Sequence, residues 1–539
     1  MFSLKRASVA ALLVVLSVAG LATLSAAQPR VHRPLATASP SGDLVVNEAV
    51  APSTLDPAEA CNLTDLSVID QVYSTLVQFG TEPGPDGTTN TNQSIVLPYL
   101  ASSWSASDGG TVYTLDLRHG VTFPNGDPLN AAAVQFSLER AITLGGCGNA
   151  AVEDLDPKLI TSITTPGDYV VTIHLTNPDP EFIRNLAEPQ ASILDPALVD
   201  AHGGVKAGQI NEWVAGHAAG VGPFLLKSYK ANSQAILVAN KNFFVQPASQ
   251  QITVNYIDSD PTLLLDARSG AADFTVGLSD QSVHSLVSDH SVRIVANATA
   301  LSEQIGFLNT KAPFNNVKFR EALSYAVPYS QILSQIAYGY GGIFYGPIPP
   351  AIPGYNATLE KPRYLDLSKA QALIKSSGVA TPVSVTLTVE LGSTTDEQLA
   401  TTLQSIWKQL DVNVTIQTLA PTAYVTALES HQLQSWIRLD GPFLNNAGFY
   451  LAYDMEAGFP ENNTQMSIPA ADVLLQKART APSSMPLQPI WNKIISLWNA
   501  DSPKIPVYAA DDVTVLSKNV THYFYSSTGP NFVTWSAKG

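Results

Sequence analysis

The sequence predicts an α/β body assembled from more than one domain, and three observations carry this. The chain has 539 residues, more than a single hydrophobic core supports. Val383, Val385, Leu387 and Val389 alternate with polar residues as a strand. Leu399, Leu403, Ile406 and Leu410 then recur at helical spacing, and Val412, Val414 and Ile416 alternate again. Strand, helix and strand at this spacing form a crossover unit, which requires a parallel pair. Third, Tyr113, Leu115 and Leu117 alternate with Thr114, Asp116 and Arg118 as a half-buried strand. Turn chemistry at Pro124-Asn125-Gly126-Asp127 follows, and Asn130 is placed to cap a helix with Val134, Leu138 and Ala141 inside.

Composition bounds the function. Hydrophobic residues make up 45% and charged residues 14%, with 29 Lys+Arg against 45 Asp+Glu and a net charge of −16. Ample apolar surface excludes global disorder. An acidic chain with no Lys/Arg cluster is repelled by a phosphate backbone, so nucleic acid is excluded as a partner.

Lys5 and Arg6 precede an uncharged, mostly apolar run from Ala7 to Ala27, which ends in Leu24-Ser25-Ala26-Ala27. This reads as an export signal over 1–27, with an uncleaved anchor as the alternative. Residues 28–42, rich in Pro, Ala, Ser and Thr, read as an extended linker. Cys61 and Cys147 are the two cysteines. An oxidising compartment favours their pairing, and two separate buried thiols are the other reading. Closing so long a loop is worth at most about 4–5 kcal/mol.

From here the order of segments resembles a known family. Thr54-Leu55-Asp56-Pro57 leads to Val72-Tyr73-Ser74-Thr75-Leu76-Val77. Leu97-Pro98-Tyr99-Leu100-Ala101-Ser102-Ser103-Trp104 continues through Leu117-Arg118-His119-Gly120 to Phe136-Ser137-Leu138-Glu139-Arg140. Gly220-Val221-Gly222-Pro223-Phe224 comes next, then Phe307-Leu308-Asn309-Thr310 and Pro313 to Leu323, with Gly346-Pro347-Ile348-Pro349-Pro350 last. Collinear over roughly residues 45 to 535, this resembles the extracellular solute-binding proteins of ABC importers, family 5, the dipeptide- and oligopeptide-binding type. Two departures stand out. Pro328 occupies a position where the family usually has an acidic residue, and the Trp-x-x-Asp element reads Trp436-Ile437-Arg438-Leu439-Asp440, one residue longer.

The resemblance implies a two-lobed periplasmic-binding-protein-like (type II) fold with an inserted α/β domain. It implies lobe I from residues 43–78, 196–305 and 505–539, an insert over 79–195 and lobe II over 306–504. A peptide or other small solute is expected between the lobes, with ABC permease transmembrane subunits as partners and the protein itself a monomer. The expected location is the periplasm or the outer face of the cytoplasmic membrane. No catalysis, cofactor or metal is expected.

A buried carboxylate is the natural partner for a peptide's ammonium group, because an unpaired buried charge is costly. Asp440 is the nearest match to the family's aspartate; a solvated loop aspartate is the alternative. Trp436 reads either as a cleft wall or as core. Phe443 and Phe449 read as packing. Asn309 reads as fastening a crossing strand or as touching ligand. Cys61, Asn62 and Leu63 fall where the family has a ligand-facing loop. Gly220 and Gly222 are expected to permit tight turns.

The sequence holds no HExxH, no two-cysteine metal spacing, no phosphate-binding Gly-rich loop ending in Lys-Ser/Thr and no Gly-x-Ser-x-Gly elbow. A secreted hydrolase, with His522 and Asp511 as one conceivable pair, is the weaker rival. A third reading keeps the fold and exchanges the peptide for an oligosaccharide, a nickel complex or another solute.

Overall fold

The computed structural model describes residues 42–153, 158–441, 444, 446–459, 461–482, 485–527 and 531–537. The export or anchor segment and almost all of the linker, together with Phe443, lie outside the described residues.

One large sheet organises the body. Its strands run in the order Val412–Leu419, Val383–Glu390, Ser435–Asp440, Val292–Phe307, Lys504–Ser517, Phe274–Val276, Leu44–Glu48, Gln251–Tyr256, Gln234–Ala239 and Phe224–Lys230. A short strand, Gly341–Gly342, adds to Lys504–Ser517. The predicted crossover unit is present: Val383–Glu390 pairs in parallel with Val412–Leu419 from Val383↔Val412 to Glu390↔Leu419, joined by the helix Thr394–Trp407. Leu399, Leu403, Leu387 and Val412 are fully buried against one another's layer. Each such side chain contributes about 1.5–3 kcal/mol relative to exposure.

Two long strands, Val292–Phe307 and Lys504–Ser517, run antiparallel through the centre and belong to both halves of the sheet. Val292 to Ala298 pairs with Asp511 to Ser517, beside Phe274–Val276 and Leu44–Glu48. Ser302 to Gly306 pairs with Lys504 to Ala509, beside Ser435–Asp440. Between these stretches the register breaks, leaving Thr299, Ala300 and Leu301 opposite Ala510. Such an irregularity bends a strand and re-aims its side chains. The Thr299 hydroxyl donates to the Ala510 carbonyl at 2.8 Å and accepts from the Leu301 N–H at 2.9 Å, so the unpaired backbone is satisfied locally. The Tyr450 hydroxyl donates to the Ala300 carbonyl.

A separate four-stranded antiparallel sheet contains Ala101–Ser107, Val112–Leu117, Val170–Leu175 and Ile160–Gly167. The helix Ala131–Leu144 packs on it, and Asn130 caps that helix by accepting from the Ala133 N–H at 3.1 Å. The strand and cap read from the sequence are therefore both present.

The motif segments meet in space. Arg140 clasps Asp56 with both guanidinium arms, one at 2.9 Å to Oδ1, and both side chains are almost fully buried. Next to this clasp, Cys61 and Cys147 form a disulfide across 86 residues with Cα atoms 5.5 Å apart. Gly220 and Gly222 correct the expectation of tight turns. Neither adopts a left-handed backbone. A side chain on Gly220 would strike the Tyr73 ring at 2.0 Å, and one on Gly222 would strike the Gln71 carbonyl at 2.4 Å. Close approach of two motif segments is what excludes larger residues there.

Candidate functional site

A partly open cavity of about 370 Å³ lies at the strand break. Thr299 and Leu301 of the break line it, as do Ala510, Asp511 and Asp512 of the second long strand. Glu48 enters as the last residue of Leu44–Glu48, and Asp280 as the first residue of a short helix capped by Ser279. Leu63, Thr64 and Ser67 form one wall, Leu439 another, and Tyr523, Phe524, Tyr525 and Trp535 a third. The aromatic wall is braced from behind: Trp535 stacks on Phe274 at 4.1 Å, and the Tyr523 hydroxyl bonds Thr514 Oγ1 at 2.9 Å.

Among the described residues, four carboxylates line this space, and no Lys, Arg or His does. Burial, reinforced by the Asp512 charge, pushes Glu48 up to about 8 against an opposing hydrogen bond from Ser67. Asp280 and Asp512 rise to about 6 through burial and the charge of Asp511. Asp511 is itself raised by burial, partly offset by the Gly341 N–H. Acidity continues behind the wall at Glu303, which burial and Asp396 hold well above the usual carboxylate range. Among the described residues, no group of three or more His, Cys, Asp or Glu side chains is arranged to hold a metal ion.

The residues read from the sequence are scattered by comparison. Leu63 lines the cavity. Cys61 is committed to its disulfide. The exposed Asn62 bonds Asp65 through its backbone N–H at 3.2 Å and is not among the lining residues. Asn309 fastens the chain: its side-chain amide donates to the Pro503 carbonyl at 3.0 Å, and its N–H to Thr464 at 2.9 Å. Trp436 is buried with Leu308, Tyr424, Leu428 and Leu433, and lies so close over Gly306 that a side chain there would meet the indole at 2.1 Å. Phe449 is buried against Leu444 and Phe459.

Asp440 stands apart from the cavity lining. Its carboxylate accepts from the Tyr453 hydroxyl and lies 3.6 Å from Arg438, whose guanidinium it pushes further up. Strand alternation gives the reason. Trp436, Arg438 and Asp440 have one parity, whereas Leu439 has the other and faces the cavity. The additional residue in the Trp element moves the carboxylate to the opposite face.

Of the cavity carboxylates only Asp511 was named from the sequence, as a conceivable hydrolase partner of His522, and none as a ligand residue. Signals did exist: Glu48 ends an apolar strand, and Asp511-Asp512 interrupts the run from Ile505 to Val515. Nothing in the sequence joins these positions, which approach only through sheet topology. His522 bonds the hydroxyls of Ser536 and Thr521 at 3.0 and 3.2 Å rather than a carboxylate.

Comparison with known proteins places this geometry in a family. Residues 96–456 match the profile of the bacterial extracellular solute-binding proteins, family 5 Middle. A protein of Escherichia coli (strain K12) named "Probable D,D-dipeptide-binding periplasmic protein DdpA" is 31% identical over 385 residues, which cover 71% of each chain. Among solved structures, DppA from Helicobacter pylori in complex with peptide STSA superposes with a TM-score of 0.78. It is 23% identical and covers 93% of this chain and 99% of its own. NikA from Brucella suis in complex with Fe(III)-EDTA gives 0.79 at 18% identity, covering 92% and 100%. The last two show that the fold is the two-lobed periplasmic-binding-protein type, and their different cargoes show that the fold leaves cargo open. The matched profile and the 31% identity together make this chain a member of the bacterial extracellular solute-binding proteins, family 5.

Proposed function

We propose that this protein captures a small peptide-class solute in the cavity at the strand break and delivers it unchanged to the permease of an ABC importer. The cavity itself carries the reading. Its volume of about 370 Å³ falls within the roughly 300–1,000 Å³ of small-ligand sites. It lies where both connections between the halves of the sheet change register. Thr299 to Leu301 and Ala510 form the hinge, and closing the halves about it shields the solute from water. Residues 43–78, 196–305 and 505–539 make one lobe, 306–504 the other, and 79–195 the insert. Residues 1–27 direct export or anchor the chain at the outer face of the membrane, and 28–42 tether it. The protein acts as a monomer and performs no chemistry on its cargo.

Native mass spectrometry of the exported protein, purified without unfolding, tests this directly. A co-purified small solute of unaltered structure, displaced by added peptide, is the expected result. Release of a chemically modified product, or no peptide-induced rise in melting temperature across a broad set, overturns it.

A further inference from the structure

We propose that the cavity is built for a cationic solute, one that presents an ammonium or guanidinium group and no carboxylate to Glu48, Asp280, Asp511 and Asp512. The inference rests on the binding-protein reading above and narrows it to a ligand class.

The charge inventory comes first. Among the described residues, the lining supplies four carboxylates and not one basic side chain. A zwitterionic dipeptide lying wholly inside would place its carboxylate among acids, with no cation to receive it. The nearby basic groups are already engaged: Arg438 with Asp440, and Lys504 with Asp454 and close to the Tyr453 ring. Neither belongs to the lining.

Glu48 supplies the second, independent observation. It is only 5% exposed, it lines the cavity, and its Oε1 has no hydrogen-bond partner. A buried acceptor left without a donor is costly. Ser67 supplies one hydrogen bond to this carboxylate, and a charged donor in the cavity would add a second and relieve the field of Asp512 beside it. Burial chiefly raises the titration ranges of Glu48, Asp280 and Asp512, and the charge of a neighbouring acid adds to it in each case.

The remaining wall favours the same class. Tyr523, Phe524, Tyr525 and Trp535 offer aromatic surface, which attracts an organic cation through the ring quadrupole and repels an anion. A bare metal ion does not fit: the space is far larger than an ion, and the described acids are not arranged to ligate one. The shared chemistry, an extended amine or guanidinium, is supplied either by a peptide with basic side chains or by a free polyamine.

Titration calorimetry on the full chain, at low salt and about pH 8, separates these outcomes. The probes are Lys- and Arg-containing di- and tripeptides, free and with both ends capped so that the side chain is the only charge, their norleucine and citrulline counterparts in the same two forms, an Asp-containing peptide, and spermidine. Cationic peptides are expected to bind about 30-fold or more tighter than neutral counterparts, the range of a charged hydrogen bond. Raised salt should erode that preference in the parent protein, and Glu48→Gln and Asp512→Asn should each remove most of it, with cationic peptides losing more affinity than their neutral counterparts. A melting temperature at or above the parent's shows that Glu48→Gln is folded, because the change discharges a buried group. Tight spermidine binding with weak peptide binding supports the cationic class and overturns peptide capture. Equal binding of cationic, neutral and acidic peptides overturns the cationic class and leaves peptide capture standing. Binding of none of the probes overturns both.

Discussion

At the junction between the first segment and the helix Ala131–Leu144, Asp56 is buried against Arg140; in the cavity, Glu48 is buried against no opposite charge. Both are carboxylates inside an acidic protein, and both end or begin a short element. The first is satisfied on every side: two guanidinium arms and the Ala58 N–H at 3.1 Å meet its oxygens. The second keeps an oxygen without a partner. Desolvation is costly at both sites, and only the first recovers that cost within the chain. Folding therefore supplies the Asp56 carboxylate with all its partners, although the Nε of Arg140 keeps none. The Glu48 carboxylate has the Ser67 hydroxyl but no counter-charge, so its site is open to a cation that enters afterwards. The contrast separates a group that holds the molecule together from one held in readiness.

The largest effect expected from breaking this contrast is on the paired side. Asp56→Asn leaves Arg140 buried without its counter-charge, which should lower unfolding free energy by about 3–5 kcal/mol. Denaturant unfolding checks this. Calorimetry on the folded fraction should find cation affinity within about twofold of the parent, since Asp56 is no part of the cavity. Next comes the staple beside it. Replacing Cys61 and Cys147 together by Ser should cost about 2–4 kcal/mol. Because Leu63 follows Cys61 and lines the cavity, a modest loss of ligand affinity should accompany the lost stability. An unchanged unfolding midpoint would remove the disulfide from any structural role.

The third effect is one of pH, and its sign differs between the empty and loaded protein. Glu48, at about 8, sits above its ordinary value, so the native state holds its proton more tightly than the unfolded chain does. Its contribution to stability is fully present below the ordinary carboxylate range and fades as pH rises toward about 8. Asp280 and Asp512, at about 6, act in the same direction over a lower window. The empty protein should thus lose melting temperature between about pH 5 and 8 from these groups. A permanently charged cation needs the ionised forms, so its affinity should rise by about tenfold or more across the same window. The thermal shift produced by the cation should grow while the empty protein weakens. A parallel fall of both curves would mean that the acids do not face the ligand.

How far the sequence reaches can be judged on particular residues. The crossover unit was legible because its alternation and helical spacing are local. The Asn130 cap was legible for the same reason. The pairing of Cys61 with Cys147 followed from having two cysteines in an exported chain. The motif segments were legible as a pattern, and the clasp of Arg140 on Asp56 gives that pattern a physical cause. The cavity was not legible. Glu48, Asp280 and Asp511 belong to segments brought together only by the sheet order, in which Leu44–Glu48 lies next to Phe274–Val276, and that next to Lys504–Ser517. No local periodicity records such a meeting. Leu63 was expected from the resemblance alone; Asn309 bonds Pro503 and Trp436 packs over Gly306, both away from the cavity lining.

The smallest expected effect is also the sharpest test of the strand-face argument. Asp440→Asn keeps the side chain's size and removes its charge. If the family's ammonium partner had stayed at this position, cation affinity would fall about tenfold or more, as for a lost charged hydrogen bond. The structure instead has Asp440 held by Tyr453 and Arg438, with Leu439 occupying the cavity face. Affinity for a cationic peptide should therefore change by less than about threefold. Stability should fall slightly, because Arg438 loses its nearest counter-charge while remaining partly open to water. Leu439→Asp is the converse experiment. It returns a carboxylate to the third position after Trp436 and adds a fifth acid to the cavity wall. Tighter cation binding by Leu439→Asp, together with near-silence of Asp440→Asn, would show that one extra residue moved the charge from one face of the strand to the other. A large loss in Asp440→Asn would return that aspartate to the ligand.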